Sequence, residues 1–268
     1  MLIDKITSRQ NPLIKKFRDV RQGHERHLLL IEGIRLMEEA ISSELHFEVI
    51  AYTDQLHKTE RGRKLYSQLL NLSCRGALVT ESIMTAMSDV VSPQGVAAIV
   101  QIPYSSLDDA ISKPLPLVVV AQQLQDPGNI GTIIRTAEAV GVDSLITTVG
   151  TVNPFSLKAL RSSMGSAFRL PLILNLRSQQ IVEFCNTHNL QIVVASNKAS
   201  KDYSELNWTV PTALVVGSEA NGVDPIVVKA AKESILIPMT KPVESLNVSS
   251  ATAILLYEAL KQRAGKSS

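Results

Sequence analysis

The chain has 268 residues, 45% apolar and 19% charged, with a formal net charge of +2. That composition fits one large or two ordinary folded domains and excludes a disordered chain. No apolar run approaches the roughly 20 residues that span a bilayer, and Cys74 and Cys185 stand far apart without a CxxC pair or histidine cluster, against a disulfide framework or a metal site.

The opening stretch MLIDKITSRQNPLIKKF carries scattered charge and no apolar h-region, so it does not read as a secretory signal and a cytoplasmic setting is expected. Asn11-Pro12 reads as an N-cap followed by a proline at the first helical position, the start of a short basic helix. Between residues 9 and 27 lie Arg9, Lys15, Lys16, Arg18, Arg21 and Arg26, with His24 and His27, opposed only by Asp19 and Glu25. That excess suits phosphates and equally suits a solvated helix face. Then LLLIEG predicts a strand, IRLMEEAISS a helix, FEVIAYT a strand, RGRKLYSQLLN a helix, GALVT a strand and ESIMTAMSD a short helix. The alternation gives an α/β unit over 1–91. SPQGVAAIVQIPYSSLDDAISKPLPL is rich in serine and proline and places a linker at 92–115, although VAAIVQ within it is strand-like.

The second unit, 116–268, repeats the alternation with stronger strands: LVVVA, SLITT, QIVVAS, ALVVG and SILIP. Near-continuous Val, Ile and Leu runs imply strands covered on both faces, hence a mainly parallel sheet. Asp224-Pro225 starts another helix. The last helix, VSSATAILLYEALKQR, is small or apolar on every side in its first turns, so the domain or a second subunit must bury it; a homodimer is expected.

Ligands of open parallel sheets sit beyond the carboxyl ends of the strands, and three loops there carry unusual residues. In QDPGNIGTIIRTAEAVGV, residues 125–142, a Gly-Asn-x-Gly turn precedes a helix that stripes Ile130, Ile133, Ile134 and Ala137, with Arg135 at the stripe's edge. Neither G-x-G-x-x-G nor G-x-x-x-x-G-K-[ST] is satisfied, and taken alone the loop fits a tight turn plus a surface pair of Arg135 with Glu138. In ALVVGSEANGVDP, Gly217 ends a strand, Glu219 follows, and Asn221-Gly222 makes a turn. In ILIPMTKPVESLNVSSATAILLYEAL, Ser245, Asn247, Ser249 and Ser250 crowd a helix start, more polar groups than capping requires.

Together, NIGTIIRTAEAVG, LVVGSEANGVDP and IPMTKPVESLNVSSATAILLYEALKQR resemble, in order and at the usual separation, the three motifs of the SpoU (TrmH-like) RNA 2′-O-ribose methyltransferases of the SPOUT superfamily. NPFSLKALRSSMGSAFRLPL is similar to the segment after the first motif, VSPQGVAAIV to the family's linker strand, and SRQNPLIKKF with LLIEGIRLMEEAI to its N-terminal substrate-binding domain. The resemblance implies an α/β fold in which a C-terminal SPOUT domain has a mainly parallel sheet and a deep trefoil knot, beside a small N-terminal α/β substrate-binding domain. A knot runs against the general rule for chain connections, and the strand pattern alone does not reveal one.

The resemblance further implies S-adenosylmethionine as cofactor, methyl transfer to a ribose 2′-hydroxyl, and an active site completed across a homodimer. Ribosomal RNA is expected over transfer RNA, because the separate N-terminal domain resembles that of the ribosomal-RNA members; neither a metal nor a membrane partner is expected. By match to the motifs, Asn129, Arg135, Glu219, Ser245 and Asn247 fall on catalytic or substrate-positioning positions. Gly217, Ile237 and Leu246, with Met239 and Ser249 nearby, are expected to hold the cofactor. Candidate RNA contacts are Arg9, Lys16, Arg26, Arg35 and Arg161. A guanidinium stays charged, so Arg135 is expected to grip the adjacent phosphate and lower the hydroxyl's pKa rather than act as a base. The alternatives are a transfer-RNA enzyme, a non-catalytic RNA-binding or ribosome-assembly protein on the same fold, and a dinucleotide oxidoreductase, which the missing G-x-G-x-x-G disfavours.

Overall fold

The computed structural model describes residues 2–88, 90, 92–218 and 221–265. The chain forms two compact units, Met1–Pro103 and Tyr104–Ser268.

The first unit runs β1 (Leu2–Ile6), α1 (Pro12–Arg21), β2 (Leu28–Glu32), α2 (Ile34–Ser42), β3 (Phe47–Tyr52), α3 (Glu60–Leu70), β4 (Arg75–Val79), α4 (Glu81–Met87) and β5 (Val96–Gln101). Its sheet has the order β1-β4-β3-β5-β2, with β1, β4 and β3 parallel and β5 antiparallel to both neighbours. Helix α1 starts where the sequence predicts: Asn11 accepts the Leu13 N–H at 2.9 Å, and Pro12 fills a position whose N–H needs no partner. Ile14 and Phe17 on its inner face pack in a core that also buries Ile31, Met37, Ile50 and Leu65 completely.

The expected linker at 92–115 is not one. Val96–Val100 are all buried, and the strand sits between β3 and β2, so the serines and prolines around it mark turns of this sheet. Beyond the boundary, Leu107, Ala110 and Ile111 join the core of the second unit, and Asp143 accepts from Ser112 N, Ser112 Oγ and Leu117 N at 3.2, 3.0 and 3.0 Å, tying the segment down.

The second unit runs β6 (Leu117–Gln122), α5 (Pro127–Ala139), β7 (Ser144–Thr148), α6 (Leu157–Ser163), β8 (Leu172–Leu176), α7 (Ser178–Thr187), β9 (Gln191–Ala195), β10 (Lys201–Asp202), β11 (Thr212–Gly217), α8 (Pro225–Ala230), β12 (Glu233–Leu236) and α9 (Val248–Ala264). The sheet order is β10-β12-β9-β11-β6-β7-β8, and each of these neighbouring pairs is parallel. Strands β1, β8 and β10 were not predicted from the sequence. The chain builds outward from β6 to β8, then crosses back to build the other side, so the order reverses between β6 and β11. A crevice at such a switch point is where ligands of parallel sheets bind, and all three motif loops belong to this unit.

Candidate active site

At the end of β6 the Asp126 carboxylate caps α5, accepting the Gly128 N–H at 2.5 Å. That bond, helped by Lys158 Nζ at 3.3 Å, holds its pKa below the usual aspartate value. The helix buries Ile130, Gly131, Ile133, Ile134 and Ala137, the stripe read from the sequence. Gly131 is there because α6 leaves no room: a Cβ would lie 2.4 Å from Ala159 O and 2.6 Å from Ser162 Cβ. The close approach sets α6, with Arg161, against the helix that carries Asn129 and Arg135.

Glu138 does not pair with Arg135. Its carboxylate takes two bonds from Arg169, Nε to Oε1 at 2.5 Å and Nη2 to Oε2 at 3.1 Å, which hold its pKa below the usual glutamate range. The surface-pair account of this loop therefore fails. Arg135 is exposed, and among the described residues it has no hydrogen-bond or ion-pair partner.

At the end of β11, Gly217 lies opposite Gln122 of β6, across the switch point. The chain folds straight back over it. Ser218 and Gly222 form an antiparallel bridge, Gly222 N donating to Ser218 O at 2.9 Å, and a Cβ on Gly217 would lie 2.1 Å from Gly222 O. Glu219 lies outside the described residues.

The third loop begins at Ile237: β12 ends at Leu236, two residues before the end of the predicted strand SILIP, whose Pro238 cannot donate to a ladder. Ile237, Met239 and Leu246 are half-buried, and Ser245 is exposed. Within the loop the backbone pairs with itself at one point among the described residues, Val243 N to Thr240 O at 3.2 Å; Asn197 Nδ2 holds Glu244 O at 3.3 Å. Around Ile237, Met239 and Leu246 the loop sets backbone N–H and C=O groups beside apolar side chains. That is what a flat purine with a polar edge requires, and these residues fit an adenosyl cofactor.

Asn247 closes the loop. Its Oδ1 accepts Ser249 N, Ser250 N and Ser249 Oγ at 2.9, 3.4 and 2.6 Å and caps α9, while its Nδ2 donates to Asn129 Oδ1 at 3.0 Å. One side chain thus caps a helix and joins the first motif to the third. The Ser249 hydroxyl donates its proton to Asn247 and keeps its lone pairs as acceptors.

The far end of α9 is fastened too. Arg263 donates Nε to Trp208 O at 2.8 Å, Nη1 to Leu115 O at 2.8 Å, and Nη2 to Pro116 O and Val210 O at 3.1 and 3.0 Å. Burial lowers its pKa, and the four carbonyl dipoles supply the negative potential that keeps the charge tolerable. No sequence pattern pointed to this residue. Val248, Thr252, Leu255, Leu256 and Ala259 face inward, whereas Ile254, Tyr257 and Leu260 are 36%, 55% and 38% exposed.

Two of the candidate RNA contacts in the first unit have structural work. Arg9 donates to Ser82 O and Oγ and its carbonyl accepts from Arg18, which fixes the chain ahead of α1; Lys16 pairs with Glu48 at 2.5 Å. Arg35, exposed on the first turn of α2, has no partner among the described residues, while Arg26 and Arg161 are both engaged. Among the described residues no helix is long and apolar enough to cross a membrane, and no cluster of His, Cys, Asp and Glu is placed to hold a metal.

Comparison with known proteins follows the same division. Residues 116–257 match the model of the SpoU rRNA methylase family, and residues 11–98 match that of an MRM3-like substrate binding domain. The chain is 35% identical to an uncharacterized tRNA/rRNA methyltransferase of Synechocystis, over 97% of this chain and 95% of that protein. It is 31% identical to the 23S rRNA (guanosine(2553)-2′-O)-methyltransferase RlmP of Bacillus subtilis, over 94% and 97%. The crystal structure of an AdoMet-bound rRNA methyltransferase from Sinorhizobium meliloti superposes with a TM-score of 0.85 at 27% identity, covering 97% of this chain and 98% of that one. With a family match over more than half its length, full-length relatives, and its motif loops gathered at the switch point of the matched domain, the chain belongs to the SpoU rRNA methylase family.

Proposed function

We propose that this protein transfers the methyl group of S-adenosylmethionine to a ribose 2′-hydroxyl of ribosomal RNA. The bond between Asn129 and Asn247 carries the reading, because it draws the loop suited to a ribose and the loop suited to the cofactor into one site. RlmP, similar over nearly its whole length, is named for this reaction on 23S rRNA.

The backbone of Gly217, Ile237 and Leu246, with Met239 beside them, holds the cofactor, and Ser249 acts one step back by fixing Asn247. When bound, the cofactor supplies an electrophilic methyl group on a sulfonium. The protein has two remaining tasks: to hold the hydroxyl oxygen in line with that carbon, and to make a poor acid give up its proton. Arg135, charged and free of carboxylates among the described residues, grips the phosphate beside the target ribose and lowers the hydroxyl's pKa, so that the proton passes to water as the new bond forms. Asn129, oriented by Asn247, positions the ribose; Glu219 orients Arg135 or Asn129; Ser245, whose hydroxyl has no partner among the described residues, steadies the hydroxyl or the loop.

Two copies complete the site. The exposed row Ile254, Tyr257 and Leu260 on α9 supports that pairing, since it leaves apolar surface on the helix that Asn247 begins. The trefoil passage belongs to the same reading, which agrees with α9 returning from the β12 side to the amino ends of β6 and β11 through Arg263. Arg35 is the foremost candidate for gripping RNA in the first unit, and the protein acts in the cytoplasm.

The test is incorporation of labelled methyl groups into RNA from cells lacking the gene, followed by mapping of the modified ribose. Label in a ribosomal-RNA 2′-O-methyl group is expected. Label confined to transfer RNA moves the substrate, and RNA binding without any label replaces the enzyme with an assembly factor.

A further inference from the structure

A cavity of about 370 Å3 opens at the carboxyl edge of the second unit, within the size range of small-ligand sites. The last residues of β6, β7 and β8 wall it, with the turn that follows β11. Gly222 and Asp224 on its wall lie in the second motif, and its other lining residues lie outside all three.

Its polar groups are held in a ring. Gln122, 2% exposed, accepts the Asp224 N–H at 2.9 Å and directs its amide nitrogen to Ser178 Oγ at 3.5 Å, and Ser178 donates to Asp224 Oδ2 at 2.9 Å. Capacity is left over. Asp224 Oδ1 takes the Ile226 N–H at 2.8 Å, which leaves lone pairs on both carboxylate oxygens, and Gln122 has a second amide hydrogen. Val149 and Ile226 line the same space, 56% and 41% exposed, and offer it two apolar faces. Arg177 lines it as well, exposed and without a carboxylate partner among the described residues.

The backbone adds a further sign. Gln123, also on the wall, has a φ of 52°, a region that residues other than glycine seldom occupy, and its N–H is fixed by Thr148 Oγ1 and Thr151 Oγ1 at 3.1 and 3.0 Å. Acceptors for an amino or imino edge, apolar faces and an unpaired guanidinium are together the complement of a nucleotide's base edge, ring faces and phosphate. Gln122 is the strand neighbour of Gly217, so the cavity begins one strand spacing, about 4.8 Å, from the cofactor-side glycine.

Resting on the RNA-methylation reading above, we infer that this cavity receives a nucleotide of single-stranded RNA next to the methylated one. The base lies against Val149 and Ile226 with its edge on Asp224 and Gln122, and the phosphate meets Arg177. The pocket thereby selects which sequence or bulge is presented to the methyl-transfer site.

Two measurements test it. In methyl-labelled protein, nucleoside 5′-monophosphates and a short single-stranded oligoribonucleotide are titrated while the Val149 and Ile226 signals are followed, with inorganic phosphate as control. Both signals move with the nucleotides and not with phosphate, and Arg177→Glu weakens the effect by about tenfold, as expected for loss of a charge-assisted bond. Equal shifts with phosphate reduce the cavity to an anion site and overturn the proposal, as does no shift with any nucleotide. In turnover on unmodified ribosomal RNA, Arg177→Glu raises KM about fivefold or more while kcat and cofactor affinity by calorimetry hold; an unchanged KM also overturns it. Failure of the parent reading shows separately, as wild-type protein that binds no S-adenosylmethionine and transfers no methyl.

Discussion

Asn247 Nδ2 donates to Asn129 Oδ1 at 3.0 Å, across 118 positions of sequence. The bond matters because Asn247 is already committed by its other atom to capping α9. A single amide fixes both where the last helix begins and how the α5 loop is oriented toward a substrate.

The two halves of that amide are separable. Asn247→Asp keeps an oxygen for the Ser249 and Ser250 N–H groups but loses the donor to Asn129; Asn247→Ala loses both. We expect the aspartate variant to unfold near the wild-type temperature with turnover down on the order of 100-fold, as for a misplaced reactant. The alanine variant should lose a further ~1 kcal/mol of stability. Thermal unfolding and methyl-transfer rates check both.

Arg135→Lys keeps the charge and removes the planar fork. Turnover should fall about 10-fold or more, with S-adenosylmethionine affinity unchanged, because a point charge cannot hold a phosphate bidentately. Full turnover in the lysine variant removes the need for the fork.

Gly131→Ala places a methyl group against Ala159 O and Ser162 Cβ. The two helices must part, at a cost of about 1–3 kcal/mol. Urea unfolding reads the loss, and turnover falls with it because α5 carries Asn129 and Arg135. A neutral effect would mean that α6 gives way freely.

Glu138 supplies a pH dependence. Arg169 holds its folded pKa below the usual 4.5, so the contribution is complete above that value and is lost as pH falls through the folded one. Both side chains are about a third exposed, which limits the effect to under about 1 kcal/mol. The stability gap between wild type and Arg169→Ala, measured by urea unfolding across pH, should be constant near neutrality and narrow below roughly pH 4.

For RNA capture, Arg35→Ala should reduce the slope of log affinity against log salt by about one and leave stability alone. Arg9→Ala should do the converse, since its guanidinium braces Ser82. Filter binding at several salt concentrations, with thermal unfolding, distinguishes the two.

Much of this architecture is legible in the sequence where one physical signal dominates. LVVVA and ALVVG are continuous apolar runs and form β6 and β11 with buried interiors; Asn11-Pro12 and Asp224-Pro225 each open a helix with the expected side-chain cap. Asp126-Pro127 opens α5 in the same way, so the Gly-Asn-x-Gly segment expected as a turn ahead of the helix is its first turn. Legibility ends where signals compete. LIDKI sets two adjacent charges among three apolar residues, with no period-2 alternation over its five positions, and gains a strand's identity only by pairing with β4. VAAIVQ looked like part of a linker because turn residues flank it, yet its neighbours on both sides come from elsewhere in the chain. The Glu138 partner was misjudged because helix spacing makes Arg135 available, whereas a residue 31 positions away offered two bonds. No local pattern foretells Arg263, whose four acceptors converge only after the sheet is assembled.

Arg263 and Asn247 stand at opposite ends of α9, one bound at the amino ends of the strands and the other reaching the loop beyond the carboxyl end of β6. The helix is therefore a ruler whose length and phase are both fixed. One residue inserted between them would twist the ends by about 100° and lengthen the rod by about 1.5 Å. Either the carbonyl latch or the asparagine bridge must then let go, so this helix can drift in composition during evolution but not in register.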